Sequence, residues 1–524
     1  MPSGTFGVWV VKLVIMGLID ALGIWAILKS YAASWWLAVI FLTVVLVVAN
    51  VVYFRKGGLP WKYMLPGLVF LIAFQLYPAG YTFYASFTNL GTGHLISQED
   101  ARAAIIVQNE KPVEGSESFN IRPIESGGTV SMLITDPQTG EAMIGTVEGV
   151  TPAPDATIEG GSAVSVPGYT TLNLAALTRD PALDQQWQDL AVPWEPEQGY
   201  NLRASSPTRG SLRQSQVAYD PATDTFTDVE TGAVYKANPD VGLYTTDQFN
   251  PDAGQTRANE GQFLTPGWPV TVGLDNYARV LTDPGVRANF LPILIWSFVF
   301  AIGTVIMQFG MGLLLAMVMQ NERMRGQKFY RLALILPYVL PIFMTALVWR
   351  GMLNTDFGII NQILGMRIDW LGNGTLAKIC VLVVNLWIGY AYMLLVVTGA
   401  LTSIPNDLRE AAYVDGASGF RAFRTVILPL LMVSVSPLLI ASFAFNFNNF
   451  TLIQLLTGGG PFAGSPIQGG QTDLLINYTY RLAFGTNEQL LGFASAISMI
   501  IFIIVAAVSA YSFRLTKRLE EIKG

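Results

Sequence analysis

Runs of about twenty apolar residues recur along this chain, and they limit its fold more than any other feature. Eight are read, at residues 7–28, 35–54, 64–87, 290–319, 332–349, 377–401, 426–447 and 490–513. Each comes near the roughly 20 residues that carry a helix across a ~30 Å hydrocarbon core, so each is expected to span a membrane. The run 290–319 is long enough to tilt. Pro337 and Pro341 fall inside the fifth run and Pro437 inside the seventh. There they are expected to kink helices whose freed carbonyls neighbouring groups re-satisfy. Apolar residues make up 52% and charged residues 13% of the 524, against about 45–50% and 25% in soluble chains. A simple soluble enzyme is excluded, and 12% aromatic residues exclude a disordered chain.

Charge divides the chain in two. Residues 92–286 hold 26 acidic and 10 basic residues, a net of −16, while the rest holds 11 and 21, a net of +10. An acidic, polar block large enough for its own core is thus inserted into an apolar, basic chain. The basic residues cluster between spans. Arg55, Lys56 and Lys62 follow span two; Arg323, Arg325, Lys328 and Arg331 follow span four; Arg409, Arg421 and Arg424 follow span six; Arg514, Lys517, Arg518 and Lys523 form the tail. With eight spans all four clusters fall on one side, which the positive-inside rule makes cytoplasmic. Both termini are then expected in the cytoplasm and the acidic block outside. The expected domains are 1–91 with spans one to three, the external block 92–286, and 287–524 with spans four to eight. The first run is too long, and too poor in small residues at its end, for a cleavable signal peptide.

The external block reads β-rich. Segments 129–135 and 141–147 flank Asp136-Pro137-Gln138-Thr139-Gly140, and segments 225–230 and 233–236 flank Thr231-Gly232, two hairpin patterns. Residues 181–190 read as a short helix capped by Asp180 with Pro181 in its first turn. A folded domain that docks a partner is expected here. A solvated domain without chemistry is the plainer alternative.

The loop between spans six and seven, 403–429, carries the most specific pattern. Ser403 or Asn406 can cap a helix, Pro405 suits its first turn, Gly416 supplies a break and Pro429 opens the next span. The result is a helix–turn–helix on the membrane surface. Glu410-Ala411-Ala412, three residues, Gly416, nine residues and Val426-Ile427-Leu428-Pro429 resemble the loop shared by membrane subunits of ABC importers, with Val426 in place of an isoleucine. The resemblance implies a type I importer permease core in an all-α polytopic membrane protein, with the β-rich external domain as an insertion. It further implies that Glu410, Ala411, Ala412 and Gly416 belong to a coupling helix seated on a separate ATPase subunit.

A closer resemblance is carried by 441–450 (Ala441-Ser442-Phe443-Ala444-Phe445-Asn446-Phe447-Asn448-Asn449-Phe450), Leu455-Leu456-Thr457 and Gly459-Gly460-Pro461. Leu386-Trp387-Ile388-Gly389-Tyr390-Ala391-Tyr392, Thr472-Asp473-Leu474-Leu475 and Asn477-Tyr478-Thr479-Tyr480-Arg481 carry it too. These are similar to the larger membrane subunits of maltose/maltodextrin importers, as is the large external domain between spans three and four. Residue matches are specific from Phe290 onward and architectural before it. The resemblance implies a bacterial cytoplasmic (inner) membrane location and a shorter second permease subunit. It also implies an ATPase dimer, a periplasmic sugar-binding protein and a maltose or maltodextrin substrate.

The residues argue for sugar on their own terms. On a continuous helix Ser442, Phe445, Asn446 and Asn449 lie at i, i+3, i+4 and i+7 and share one face. Ile388, Gly389 and Tyr392 share a side of span six. Rings suit the C–H faces of a sugar and amides suit its hydroxyls, and polar residues in a span face the bundle interior. Interhelical hydrogen bonding is the competing reading, at about 0.6–2 kcal/mol per pair. In the resembling family the matching positions line the sugar site, which favours binding at all seven; Ile388 stands where leucine is usual. Asp20, deep in span one, reads as structural or as placed at the outer interface, and Cys380 as a packed apolar side chain.

No catalytic set is expected. His94 and Cys380 are the only residues of their types, which argues against a His-based metal site and excludes an intrachain disulfide. No P-loop pattern occurs. No cofactor and no nucleic-acid partner are expected. A permease for another di- or oligosaccharide such as trehalose is the nearest alternative. A membrane sensor is a more distant one, since it would not need the 403–429 loop.

Overall fold

A computed structural model describes residues 3–195, 199–250, 259–320, 324–464, 469–485 and 489–521. Arg323 and Lys523 of the basic clusters lie outside the described residues, as do the side chains of Lys517 and Arg518. Seven of the described helices are long and apolar enough to cross a membrane, or eight if one bent pair is a single span. The chain forms two compact units, Met1–Ser86 with Ser495–Gly524, and Phe87–Ala494.

The first unit contains the helices Ser3–Ala32 and Trp36–Phe54, and the span Leu59–Ala85, which passes through a π turn at Ile72–Leu76. Its apolar side chains, such as Leu22, Trp25, Leu37 and Phe70, point outward, as a lipid solvent demands. Gly57 and Gly58, both at positive φ, turn the chain between the second and third helices. Lys62 Nζ then donates to the Arg55 carbonyl at 2.9 Å. Asp20 lies midway along Trp9–Ala32. There its carboxylate accepts a 2.7 Å hydrogen bond from the Asn50 amide of the second helix, which supports a structural role.

In the second unit the inserted region is built from two antiparallel sheets and a two-stranded ribbon. Phe119–Ser126 lies within the larger sheet, between Thr129–Thr135 on one side and Arg209–Ser215 on the other. Thr129–Thr135 pairs in turn with Ala142–Thr146. The turn between them is stabilised by Asp136 Oδ1, which accepts from the N–H groups of Gln138 (2.7 Å) and Thr139 (3.0 Å). The smaller sheet is a five-stranded meander from Val217–Asp220 to Phe263–Leu264. In it the strand Thr225–Asp228 ends earlier than 230, because the Asp228 carboxylate folds back onto the N–H groups of Glu230 and Thr231. Pro181–Asp189 is helical, with Asp180 accepting from Ala182 N–H at 3.0 Å. Each sheet has its own core, one around Ile134, Trp187 and Leu202, the other around Phe226, Tyr244 and Trp268.

After the short helix Asp275–Thr282, the long helix Pro284–Met319 begins six residues before Phe290, because Asp283 accepts from Gly285 and Val286 N–H and Pro284 fills the first turn. Gly374–Thr402 is likewise started by the Asn373 side chain. The two pack so closely that a Cβ on Gly312 would lie 2.7 Å from the Met393 backbone, the small-residue contact expected between membrane helices. The fifth span departs from expectation. Gln327–Val339 and Ile342–Met352 meet at 92°, so residues 332–349 are not one kinked helix. Pro337 and Pro341 lack N–H donors, and Leu340, held extended before Pro341 (ψ 134°), ends the helix. The seventh span begins at Gly419, runs through a π turn at Phe423–Ile427 and ends at Phe447, so Pro429 lies within it. Beyond it, fully buried Asp473 pairs with Arg481 and accepts from Gly470 N–H, tying down the following loop.

Candidate functional site

The 403–429 loop forms a short helix, Asn406–Val414, and a second turn, Gly419–Ala422, started by Ser418. Neither Ser403 nor Asn406 caps the first helix. Pro405 occupies the cap position, and Asn406 is already helical. Gly416, at φ +78°, donates to Tyr413 O, and Ala417 N–H donates to Ala412 O, both at 3.0 Å. These are the paired bonds of a Schellman ending, which needs a left-handed residue where Gly416 stands. Ala412 is buried, whereas Glu410, Ala411 and Gly416 are exposed beside the outward-facing Val414 and Phe420.

A cavity of about 440 Å³ opens among the helices of the second unit. Ile388, Gly389 and Tyr392 line it from Gly374–Thr402, and Ser442, Phe445 and Asn446 line it from Leu428–Phe447. Asn449 completes the set of seven, but from another element. The helix stops at Phe447, and Asn449 is the N-cap of Phe450–Leu456, its Oδ1 accepting from Leu452 N–H at 3.4 Å. The single helical face therefore holds for three residues only. Asparagine side chains compete for backbone donors and favour caps over helix interiors, which ends the helix inside the Asn-rich run.

The cavity joins rings to amides. Phe445 is 61% exposed, and the Tyr392 ring lies 6.1 Å from that of Tyr338, inclined by 25°. Asn446 and Asn449 are buried, and their amides meet Asn385. Asn385 Nδ2 donates to Asn446 Oδ1 at 2.8 Å, and Asn449 Nδ2 donates to Asn385 Oδ1 at 3.3 Å. The amides thus bind one another between helices as well as facing the cavity. Gly389 does not leave open space, since a Cβ there would overlap the Gln308 amide.

Gln308, Asn385, Tyr338, Leu340, Ile342 and Ala441 also line the cavity and were not singled out from the sequence. Gln308 and Asn385 carried a usable signal, as polar side chains within apolar runs. Tyr338, Leu340 and Ile342 did not, because the sharp bend brings them there. Elsewhere, His94 is 8% exposed, its ring nitrogen lies 3.1 Å from the Val241 carbonyl, and burial lowers its pKa. Cys380 is buried in the apolar cluster around Phe300 and Val384.

Residues 308–519 match the family described as "Binding-protein-dependent transport system inner membrane component". Residues 69–148 match "N-terminal of TM subunit in PBP-dependent ABC transporters". The "Maltose/maltodextrin transport system permease protein MalF" of Klebsiella aerogenes is 33% identical over 513 residues, covering 96% of both chains. The chain belongs to the MalF family of permease proteins. A protein of the same name from Vibrio vulnificus YJ016 is 34% identical over 97% of this chain and 95% of its own. A chain in the "Crystal structure of bacterial alginate ABC transporter in complex with alginate pentasaccharide-bound periplasmic protein" has TM-score 0.41 and 20% identity. It covers 47% of this chain and 83% of that one. MalF-family membership and the apolar helices make the chain a multi-pass inner-membrane protein with an ABC importer permease core and a β-rich insertion.

Proposed function

We propose that the chain is the larger, non-catalytic permease subunit of an ATP-driven importer of maltose and maltodextrins. The observation that carries the reading is the 440 Å³ cavity, in which Phe445 and Tyr392 stand beside the amides of Asn446 and Asn449. The names of its relatives supply the sugar class. A second permease subunit completes the pore, an ATPase dimer supplies the energy, and a periplasmic sugar-binding protein delivers substrate to the outer face. Both termini and the 403–429 loop lie in the cytoplasm, in keeping with the basic residues beside them. The inserted β-rich region is external and meets the binding protein.

The mechanism is alternating access. The exposed Glu410 and Ala411 face seats on the ATPase, and the Gly416 ending holds its helix at a fixed angle to the seventh span. ATPase closure therefore moves the helices around the cavity. The sugar exchanges its water for rings and amides and is released on the other side. The chain needs no cofactor for this and breaks no bond. Uptake of labelled maltose by vesicles containing all the subunits tests the reading. ATP-dependent uptake supports it, and an assembled complex that moves no malto-oligosaccharide overturns it.

A further inference from the structure

Thr304 and Gln308 lie one turn apart on Pro284–Met319, and both are buried toward Gly374–Thr402. They hold Asn385 at two points. Gln308 Nε2 donates to the Asn385 carbonyl at 2.8 Å, and Thr304 Oγ1 accepts from the Asn385 side-chain amide at 3.2 Å. A side-chain amide has a donor end and an acceptor end. With its donor end set toward Thr304 and Asn446, Asn385 offers its oxygen to Asn449. Reversed, it would set donor against donor at Asn449 and acceptor against acceptor at Asn446. Asn446 and Asn449 are also held by backbone partners, Asn446 Nδ2 donating to Ser442 O at 2.8 Å and Asn449 Oδ1 accepting from Leu452 N–H at 3.4 Å, so the three amides brace one another. One turn beyond Asn385 stands Gly389, and the volume its missing Cβ leaves is filled by the Gln308 amide, which itself reaches the cavity.

We propose that Gln308 is a positioning residue of the membrane site. It fills the notch at Gly389 and, through its bond to the Asn385 carbonyl, holds the stretch of backbone from which the Asn385 side chain reaches the amides of Asn446 and Asn449. The proposal rests on the cavity being the sugar site. It gives Gly389 a task of its own: the glycine makes room for Gln308.

Two measurements on the assembled complex test it. The first needs no sugar: the melting temperature of Gly389→Ala, Gln308→Ala and the double variant. Gly389→Ala is expected to melt lower than wild type, and the double variant is expected to return to the level of Gln308→Ala. A double variant no better than Gly389→Ala overturns the notch. The second is sugar moved per ATP hydrolysed by Gln308→Met, which keeps the length of the side chain and loses its donor. Loss of one hydrogen bond in the network is expected to lower this ratio about fivefold. A wild-type ratio reduces Gln308 to packing and overturns the positioning role. Should the wild-type complex move no malto-oligosaccharide, the functional reading fails, and the melting cycle still decides whether Gln308 occupies the notch.

Discussion

Asp224 shows how a single side chain can organise part of the inserted region. Its backbone takes a positive φ of 52°, unusual for a residue with a side chain. Its carboxylate accepts from Tyr244 at 2.6 Å, Tyr219 at 2.9 Å, Arg102 at 3.0 Å and Gln98 at 3.2 Å. Burial pushes this carboxyl up, but the hydrogen bonds from Tyr244, Tyr219 and Arg102 outweigh it and hold the pKa below the ordinary value. The unfolded chain therefore binds the proton more readily. The stability that Asp224 contributes is present above the ordinary carboxylate pKa and is lost as pH falls through the lower, folded value. Asp224→Asn is expected to weaken the Val217–Leu264 sheet at pH 7 and to flatten its loss of stability below about pH 4. Hydrogen-exchange protection of those strands, corrected for intrinsic rates, measures both. A variant as acid-sensitive as wild type would contradict the assignment. Cys380→Ala provides the contrast. Its small side chain packs in an apolar cluster, so uptake per assembled complex is expected to remain at the wild-type level.

Among the elements, the 403–429 loop depends on one backbone angle. A Cβ on Gly416 would meet nothing within 4 Å, so a substitution there costs conformation and not space. A left-handed backbone costs an L-residue about 1–2 kcal/mol, and more when the side chain is β-branched. Gly416→Val is expected to disturb the helix ending and to lower sugar moved per ATP hydrolysed, whereas Gly416→Asn is expected to do so far less. Equal, wild-type coupling in both would contradict a role for the turn. Elements of this kind were legible in the sequence because their signals are local. Asp180, Asp136, Gly416 and the apolar runs act through their own neighbours. The 92° bend between Val339 and Ile342 was not legible as such. Two prolines announce a kink, but its angle depends on what the two pieces pack against. Asn449 was placed in the cavity by a wrong route: periodicity assumed a helix that the asparagine itself helps to end. Gln308 and Asn385 went unnoticed because each is a lone polar residue whose partners lie on other helices.

At the scale of the whole molecule, the two sheets of the inserted region have separate buried cores, and its chain ends are tied together. Val272 N–H donates to Phe87 O at 2.7 Å, and the Asn276 amide donates to Thr88 O at 2.8 Å. A fragment of residues 87–283 is therefore expected to be soluble, β-rich in circular dichroism and cooperative in melting. It is also expected to bind the cognate sugar-binding protein more tightly at low salt, since charge attraction is screened over about 10 Å at 0.1 M. A disordered spectrum would contradict independent folding. The other part of the same chain holds the cavity proposed as the passage for sugar, where the ring and amides are proposed to act on the sugar and not merely to join helices. Uptake of labelled maltose per assembled complex tests this most directly in Phe445→Ala and Asn446→Ala. Loss of a stacking ring, or of an amide that pairs with sugar hydroxyls at about 1–3 kcal/mol, predicts a fall of about tenfold or more in each. Variants that assemble poorly but transport at the wild-type rate per complex would show that these side chains only hold the helices together, and would contradict the account.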